Sequence, residues 1–435
     1  MKTPNLQARA VAILQAVLVE GYSLDEAFSQ ALKKNSKENG LLQEWCYGTL
    51  RHYDRLIYSL KPLLRKPFKK QDSDIEIALL LGLYQLQETR LPQAVSVAET
   101  VNALSHKPWA KGVVNAVLRH FLRQQDDGAN SQNVPENAFY SHPQWMIDLW
   151  KKAFPEQWQI ICEANNTRPP MTLRVNLSRI EKSAYLDLLT QAQIAFRDIP
   201  ALSSAVILEK AMNVDHLPGF SEGLVSVQDS GAQYLPTLLE LQPELAILDT
   251  CSAPGGKLLH LLETAPTSVK VTAVEIDKNR MQKIKENLKR LGYSNRVQLI
   301  TADILKPDTW WDKHTLYDRI IADVPCSAMG VIRRHPDIKR LRQPEDIAQF
   351  AALQSKMLNA LWAYLKPNAL LIYITCSTCP QENDQVIKAF LDGEKTARSV
   401  PIQSGFGLST PYGTQLLPGL YESDGFYYAK LQKIV

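Results

Sequence analysis

Leu245-Ala246-Ile247-Leu248-Asp249-Thr250-Cys251-Ser252-Ala253-Pro254-Gly255-Gly256-Lys257 decides how the second half of this 435-residue chain is read. Four consecutive apolar residues make a buried strand; small residues and two glycines then end it, and a helical pattern starts past Lys257. A turn of this kind lets the backbone come close to a bound ligand, since glycine carries no Cβ to obstruct it. Leu258 stands where a phosphate loop needs Ser or Thr, and the glycines are not spaced as G-x-G-x-x-G. Neither a nucleoside-triphosphate loop nor a dinucleotide fingerprint is therefore present.

Outward from this turn, strands are expected at 245–248, 270–276, 296–300, 317–322 and 369–374, with helical segments between them. That alternation predicts an α/β domain with a mostly parallel sheet covered on both faces. The last run, 425–434, alternates apolar and polar residues and is expected to close the sheet as an edge strand. In open α/β sheets, residues just past the carboxyl ends of the strands line the ligand crevice. Glu275 ends the second strand, 20 positions past Gly255, where a carboxylate can accept hydrogen bonds from ribose hydroxyls. Asp303 follows the third strand and is placed for an adenine amino group. A nucleoside cofactor without a pyrophosphate site fits this set, and S-adenosylmethionine is the candidate.

Two further strand ends carry thiols. Asp323-Val324-Pro325-Cys326 follows the fourth strand and Thr375-Cys376-Ser377 the fifth. Beside a methyl donor, a thiolate has a specific use: C5 of a pyrimidine attacks a methyl group only after a nucleophile has added at C6. An acid at cytosine N3 stabilises the charge that develops, and Asp323 shares a turn with Cys326. Spacing does not rank the two thiols. Cys376 and Cys379 also form a C-x-x-C, but neither a thioredoxin-like context nor two further zinc ligands accompanies it, so no metal is expected.

The front half differs. Up to Asp127 the chain holds 17 Lys and Arg against 13 Asp and Glu, which is the entire net charge of +4. Its apolar residues recur at helical spacing, predicting an all-α bundle with segments at 75–87, 95–104 and 113–122. KPLLRKPFKK at 61–70 has five cations and two prolines and reads as a basic loop suited to nucleic-acid phosphates. Residues 124–137 have linker composition. The expected division is 1–127 all-α, 128–140 linker, 141–223 a small helical and α/β connecting domain, and 224–435 the α/β domain. Six cysteines scattered through a large chain argue for a reducing compartment. The apolar run 11–14 ends at Gln15, with Arg9 ahead of it and no cleavage pattern, so it reads as an amphipathic helix, and no apolar run approaches the roughly 20 residues that span a bilayer. A cytoplasmic protein without membrane contact is expected.

The Gly-rich turn, Asp-x-Pro-Cys, Thr-Cys-Ser, Gln228-Asp229 and Pro380-Gln381-Glu382-Asn383 together resemble the RNA (cytosine-C5) methyltransferase family of the NOL/NOP/Sun type. The front end is similar to the NusB-like RNA-binding fold, and 112–119 and 330–337 look like the bacterial ribosomal RNA subgroup. The resemblance implies a class I, Rossmann-like S-adenosylmethionine methyltransferase acting on C5 of one cytosine in 16S rRNA, free or in an early small-subunit particle, as a monomer. It implies Cys376 as nucleophile, Cys326 in product release, and donor contacts on Cys251, Ser252, Ala253, Pro254, Gly255, Gly256, Lys257, Glu275, Asp303 and Asp323. Val324 stands where the family usually has Ala, and Met329 where Thr or Gly is common. Arg333, Arg334, Lys339, Arg340 and Arg342 are expected near the target strand. Two alternatives stay open: the same chemistry on transfer RNA or DNA, and a non-catalytic RNA-binding assembly factor.

Overall fold

A computed structural model describes residues 5–32, 38–126, 133–402 and 405–434. The expected boundary at 127/128 and the start of the linker lie outside the described residues. The chain forms two compact units, Met1–Arg168 with Ile332–Gln343, and Pro169–Val331 with Pro344–Val435. Among the described residues, no helix is long and apolar enough to cross a membrane.

The first unit is helical. Leu6–Leu18 begins where the Asn5 side chain accepts the Ala8 N–H at 2.8 Å, and Leu24–Ala31 begins with a capping box between Ser23 and Glu26. The expected helices at 75–87, 95–104 and 113–122 are Ser73–Glu88, Gln93–Ala103 and Ala110–Asp126. Their apolar faces converge on one core in which Ala10, Leu14, Leu42, Leu50, Ile75, Leu81 and Leu118 are fully buried. Each buried leucine contributes on the order of 1.5–3 kcal/mol, so the interior of the bundle holds it together.

Residues Ile332–Gln343 pack into this unit. The Leu24 N–H donates to Asp337 Oδ2 at 3.0 Å, and Arg51 Nη2 to the Arg333 carbonyl at 2.9 Å. Lys339, 1% exposed, donates its ammonium to the carbonyls of Arg51 and Ser141, both at 2.9 Å, and to Asn166 Oδ1 at 2.7 Å. Arg340 pairs with Asp54 at 3.2 Å and lies over the Tyr53 ring. This corrects the expectation of a nucleic-acid-facing position at two of the cations of 333–342: Lys339 is an internal clamp, and Arg333 is buried. Three acceptors match the three donors of a lysine ammonium, which is what makes its burial tolerable.

The second unit holds two sheets. The smaller comprises β1 (Met171–Val175), β2 (Phe196–Asp198), β3 (Ala205–Leu208) and β4 (Val225–Val227), antiparallel in the order β2-β3-β1-β4. Strand β4 lies beyond residue 224 yet pairs with β1, through Arg174↔Ser226.

The larger sheet comprises β5 (Ala246–Thr250), β6 (Lys270–Glu275), β7 (Val297–Thr301), β8 (Tyr317–Asp323), β9 (Leu365–Thr375), β10 (Ala397–Val400), β11 (Leu408–Ser409), β12 (Thr414–Gln415) and β13 (Tyr427–Lys433). Its order is β11-β12-β13-β9-β8-β5-β6-β7, with β10 also on β13. The five strands from β9 to β7 are parallel. Neighbouring residues of one strand point to opposite apolar layers: Ile247, Ile321 and Ile372 to one, Leu248, Ile320 and Leu371 to the other. The closing run is corrected here, because β13 is no edge; it pairs antiparallel with β9 and also carries β10 and β12. The chain runs β5-β6-β7 outward, then returns to lay β8 on the other side of β5. That reversal is the topological switch point, where ligands bind at the carboxyl ends of the strands.

Candidate active site

The turn after β5 and the turn after β8 flank this switch point. Gly255, at φ +102, caps the helix Gly256–Thr264 in a conformation that favours glycine. The Ser252 hydroxyl donates to the Asp249 carbonyl at 2.8 Å, and the Ala253 N–H to Glu275 Oε2 at 3.1 Å, which fixes the turn against the end of β6. Glu275 Oε1 accepts the Asp277 N–H at 3.0 Å. Asp303 Oδ1 accepts the Leu305 N–H at 3.0 Å beyond β7. A slot of about 120 Å³ lies between these turns, walled by Cys251, Ile276, Leu305, Pro325 and Met357 and edged by Asp303. Burial holds the Cys251 thiol up at about 12, so it is an apolar wall and not a nucleophile.

Three titratable groups meet beside the slot. Lys257 donates to Asp323 Oδ2 at 2.8 Å and lies 5.2 Å from the Phe426 ring centroid. Burial alone would lower the Lys257 ammonium, but Asp323 in contact and Cys376 and Asp249 nearby more than offset it and hold the group above its ordinary value. Asp249 is 1% exposed, and burial, then the charge of Asp323, pushes its carboxyl up to about 8. Its Oδ2 has no hydrogen-bond partner among the described residues.

The two thiols come together. Cys326 Sγ lies 3.4 Å from Cys376 Sγ, both partly accessible, at the ends of adjacent parallel strands β8 and β9. The hydrogen bond with Cys376, and burial, raise the Cys326 thiol well above its ordinary value, so Cys326 keeps its proton at neutral pH. Cys379 is elsewhere: it is buried, 3.3 Å from Met329 Sδ, with its thiol raised by burial. Among the described residues, no group of three or more His, Cys, Asp or Glu is placed to hold a metal ion.

Both thiol turns are tied to one residue whose role the sequence left unread. The Glu382 carboxylate, fully buried, accepts the Ser327 N–H at 2.8 Å, the Ser327 and Ser377 hydroxyls at 2.5 Å each, and Gln354 Nε2 at 3.1 Å. Asn383 accepts from Thr375 Oγ1 at 2.6 Å and donates to the Ser377 carbonyl at 3.0 Å. The Gly330 N–H donates to the Cys376 carbonyl at 2.9 Å, and a Cβ on Gly330 would stand 2.1 Å from the Gly425 carbonyl oxygen, so only glycine fits. The signal available in the sequence is the run Pro380-Gln381-Glu382-Asn383, which starts four positions past Cys376. Gln228, also part of the pattern, accepts from Arg174 Nη1 at 2.6 Å; the same nitrogen donates to the Gly256 carbonyl at 2.8 Å, and Arg174 is held by Glu263 at 2.6 and 2.8 Å.

These residues fit a cationic nucleoside. The apolar slot with Asp303 at its edge suits an adenine, Glu275 retains lone pairs for ribose hydroxyls, and the unsatisfied Asp249 oxygen is left to hydrogen-bond a ligand.

Three family models match the chain: 16S rRNA methyltransferase RsmB/F over residues 236–432, the ferredoxin-like domain of RsmF/B-like methyltransferases over 142–215, and the NusB family over 4–123. The probable ribosomal RNA small subunit methyltransferase B of Coxiella burnetii is 42% identical over 432 residues, 99% of each chain. The ribosomal RNA small subunit methyltransferase B of Pseudomonas putida is 43% identical over 433 residues, again 99% of each. A crystal structure of a methyltransferase homolog protein from Pyrococcus horikoshii matches with TM-score 0.61 at 26% identity, covering 68% of this chain and 97% of that one.

Proposed function

From the premise that this chain belongs to the 16S rRNA methyltransferase RsmB/F family, and so transfers methyl groups from S-adenosylmethionine to ribosomal RNA, we propose that it methylates C5 of one cytosine in 16S rRNA through a covalent adduct on Cys376. The observation that carries this reading is the 3.4 Å approach of two thiols beside Asp323 at the switch point of the sheet.

The donor, when bound across Cys251 to Lys257, Glu275 and Asp303, supplies an electrophilic methyl group. The rest falls to the chain. The target base leaves its stack to reach the thiols. The Cys376 thiolate adds to C6, the C5–C6 π pair shifts to C4–C5 and the C4–N3 π pair to N3, and N3 takes a proton that the Asp323 carboxylate relays from the Lys257 ammonium 2.8 Å away. The resulting enamine is nucleophilic at C5. After C5 has gained its methyl group, loss of the C5 proton, departure of Cys376 from C6 as thiolate and return of the N3 proton through Asp323 to Lys257 restore the aromatic ring. Cys326, with its sulfur next to Cys376, is assigned to that release. Glu382 acts through the turns as a positioning residue.

The test is a pair of variants incubated with 16S rRNA and labelled donor. Cys376→Ala abolishes methyl incorporation, whereas Cys326→Ala accumulates a protein–RNA adduct that survives denaturing electrophoresis. An adduct with Cys376→Ala instead reverses the assignment, and incorporation only into transfer RNA or duplex DNA overturns the substrate.

A further inference from the structure

The helix Ala110–Asp126 presents one face that the bundle core does not cover. Trp109 just before it, then Val113, Ala116, His120 and Arg123, all exposed, recur at helical spacing and, with the buried Val117 at their base, form one wall of a groove of about 720 Å³. The opposite wall is the basic loop, with Leu63, Leu64 and Phe68 the more buried and Arg65, Lys66, Pro67 and Lys69 exposed. Trp109 is 60% exposed, the most open of the chain's exposed large apolar residues after Ile276 and Phe139. An indole left in water over an apolar floor is unusual for a core-forming residue and suits a partner with a flat face.

The charges say what kind of partner. Arg65, Lys66, Lys69 and Arg123 line the groove, exposed, and none of them forms a salt bridge among the described residues. The single carboxylate in the lining, Asp72, is already paired with Lys107 at 3.0 Å. An occupant that is apolar and planar in its middle and anionic along its edge satisfies both halves of the groove. A single-stranded nucleic acid is such a ligand: its bases stack on aromatic rings and its phosphates lie against cations. A duplex is excluded by the same geometry, since stacked and paired bases offer no face to an indole.

We infer that this groove binds an unpaired stretch of the RNA substrate, one base lying on Trp109 and its flanking phosphates on Arg65, Lys66, Lys69 and Arg123. The inference rests on RNA being the acceptor but not on the chemistry at Cys376. It gives the helical unit a defined grip, separate from the base that reacts.

The test measures binding of the full-length protein to a fluorescein-labelled single-stranded RNA and to a blunt RNA duplex of equal length, across a salt series. Trp109→Ala is expected to weaken the single strand by about fivefold or more while Trp109→Phe, which keeps an aromatic face, stays close to wild type. The combined Arg65→Ala, Lys66→Ala and Lys69→Ala variant is expected to lower the slope of log affinity against log salt by about 2, from roughly 0.7 per lost phosphate contact. All four side chains are exposed or at a rim, so the variants fold. Unchanged affinity and slope, or equal losses for single strand and duplex, overturn the inference. Groove-dependent binding together with absent C5 methylation would support it while removing the catalytic reading.

Discussion

Glu382 and Ser327 are joined twice, the carboxylate taking the Ser327 N–H at 2.8 Å through one oxygen and its hydroxyl at 2.5 Å through the other. Because the second oxygen also takes the Ser377 hydroxyl at 2.5 Å, one buried carboxylate sets the separation of the two thiol turns. A carboxyl group held by four donors is a strong device in a dry site, and an amide in its place points a donor at a donor. Glu382→Gln is therefore expected to cost about 1–3 kcal/mol in urea unfolding. It should also slow single-turnover methyl transfer by about tenfold or more, with RNA affinity unchanged, since a small displacement of the reacting atoms is enough. A variant with wild-type turnover would remove Glu382 from the site's design.

Lys339 yields an expectation opposite to the one its sequence context suggests. Its ammonium is consumed by Arg51, Ser141 and Asn166 inside the helical unit. Lys339→Ala leaves two carbonyls and an amide oxygen buried without a donor, which should lower stability by about 2 kcal/mol or more. Salt dependence of RNA binding should stay as in the wild type, because no phosphate contact is lost. A shallower salt slope for this variant, with normal stability, would put the lysine back on the RNA surface.

Why the sequence misleads at Lys339 while placing Glu275 at a strand end has a physical answer. The parallel strands β5, β6, β8 and β9 are buried on both faces, so each appears as an apolar run, and the groups that follow those runs are placed by the fold rule for strand ends. Cys326 and Cys376, on separate turns, meet for that reason. No such rule reaches Ile338–Leu341, a helix of four residues too short to show a period, whose cations look solvated until their internal acceptors are seen. Strands β11 and β12, two residues each, carry no pattern either. Without them nothing in the chain says that β13 has partners on both sides. Glu382 was quoted as part of a pattern but its role depends on hydrogen bonds to residues 55 and 5 positions away, which no local reading supplies.

Asp249 provides a measurement of the donor site without the donor. Burial, and then the Asp323 charge, lift its carboxyl from the ordinary 3.8 to about 8. The folded protein thus keeps a proton that the unfolded chain has already released between about pH 4 and pH 8. In that window the folded state binds more protons than the unfolded state, so raising the pH destabilises it, and the penalty levels off above about pH 8. Asp249→Asn removes the titration while keeping the size and most of the polarity of the side chain. Urea unfolding at pH 5, 6, 7 and 8 should show the variant gaining on the wild type as the pH rises, by a few kcal/mol between the ends of the series. Parallel curves for the two proteins would mean that Asp249 ionises normally and stands as a second negative charge beside Asp323 at neutral pH.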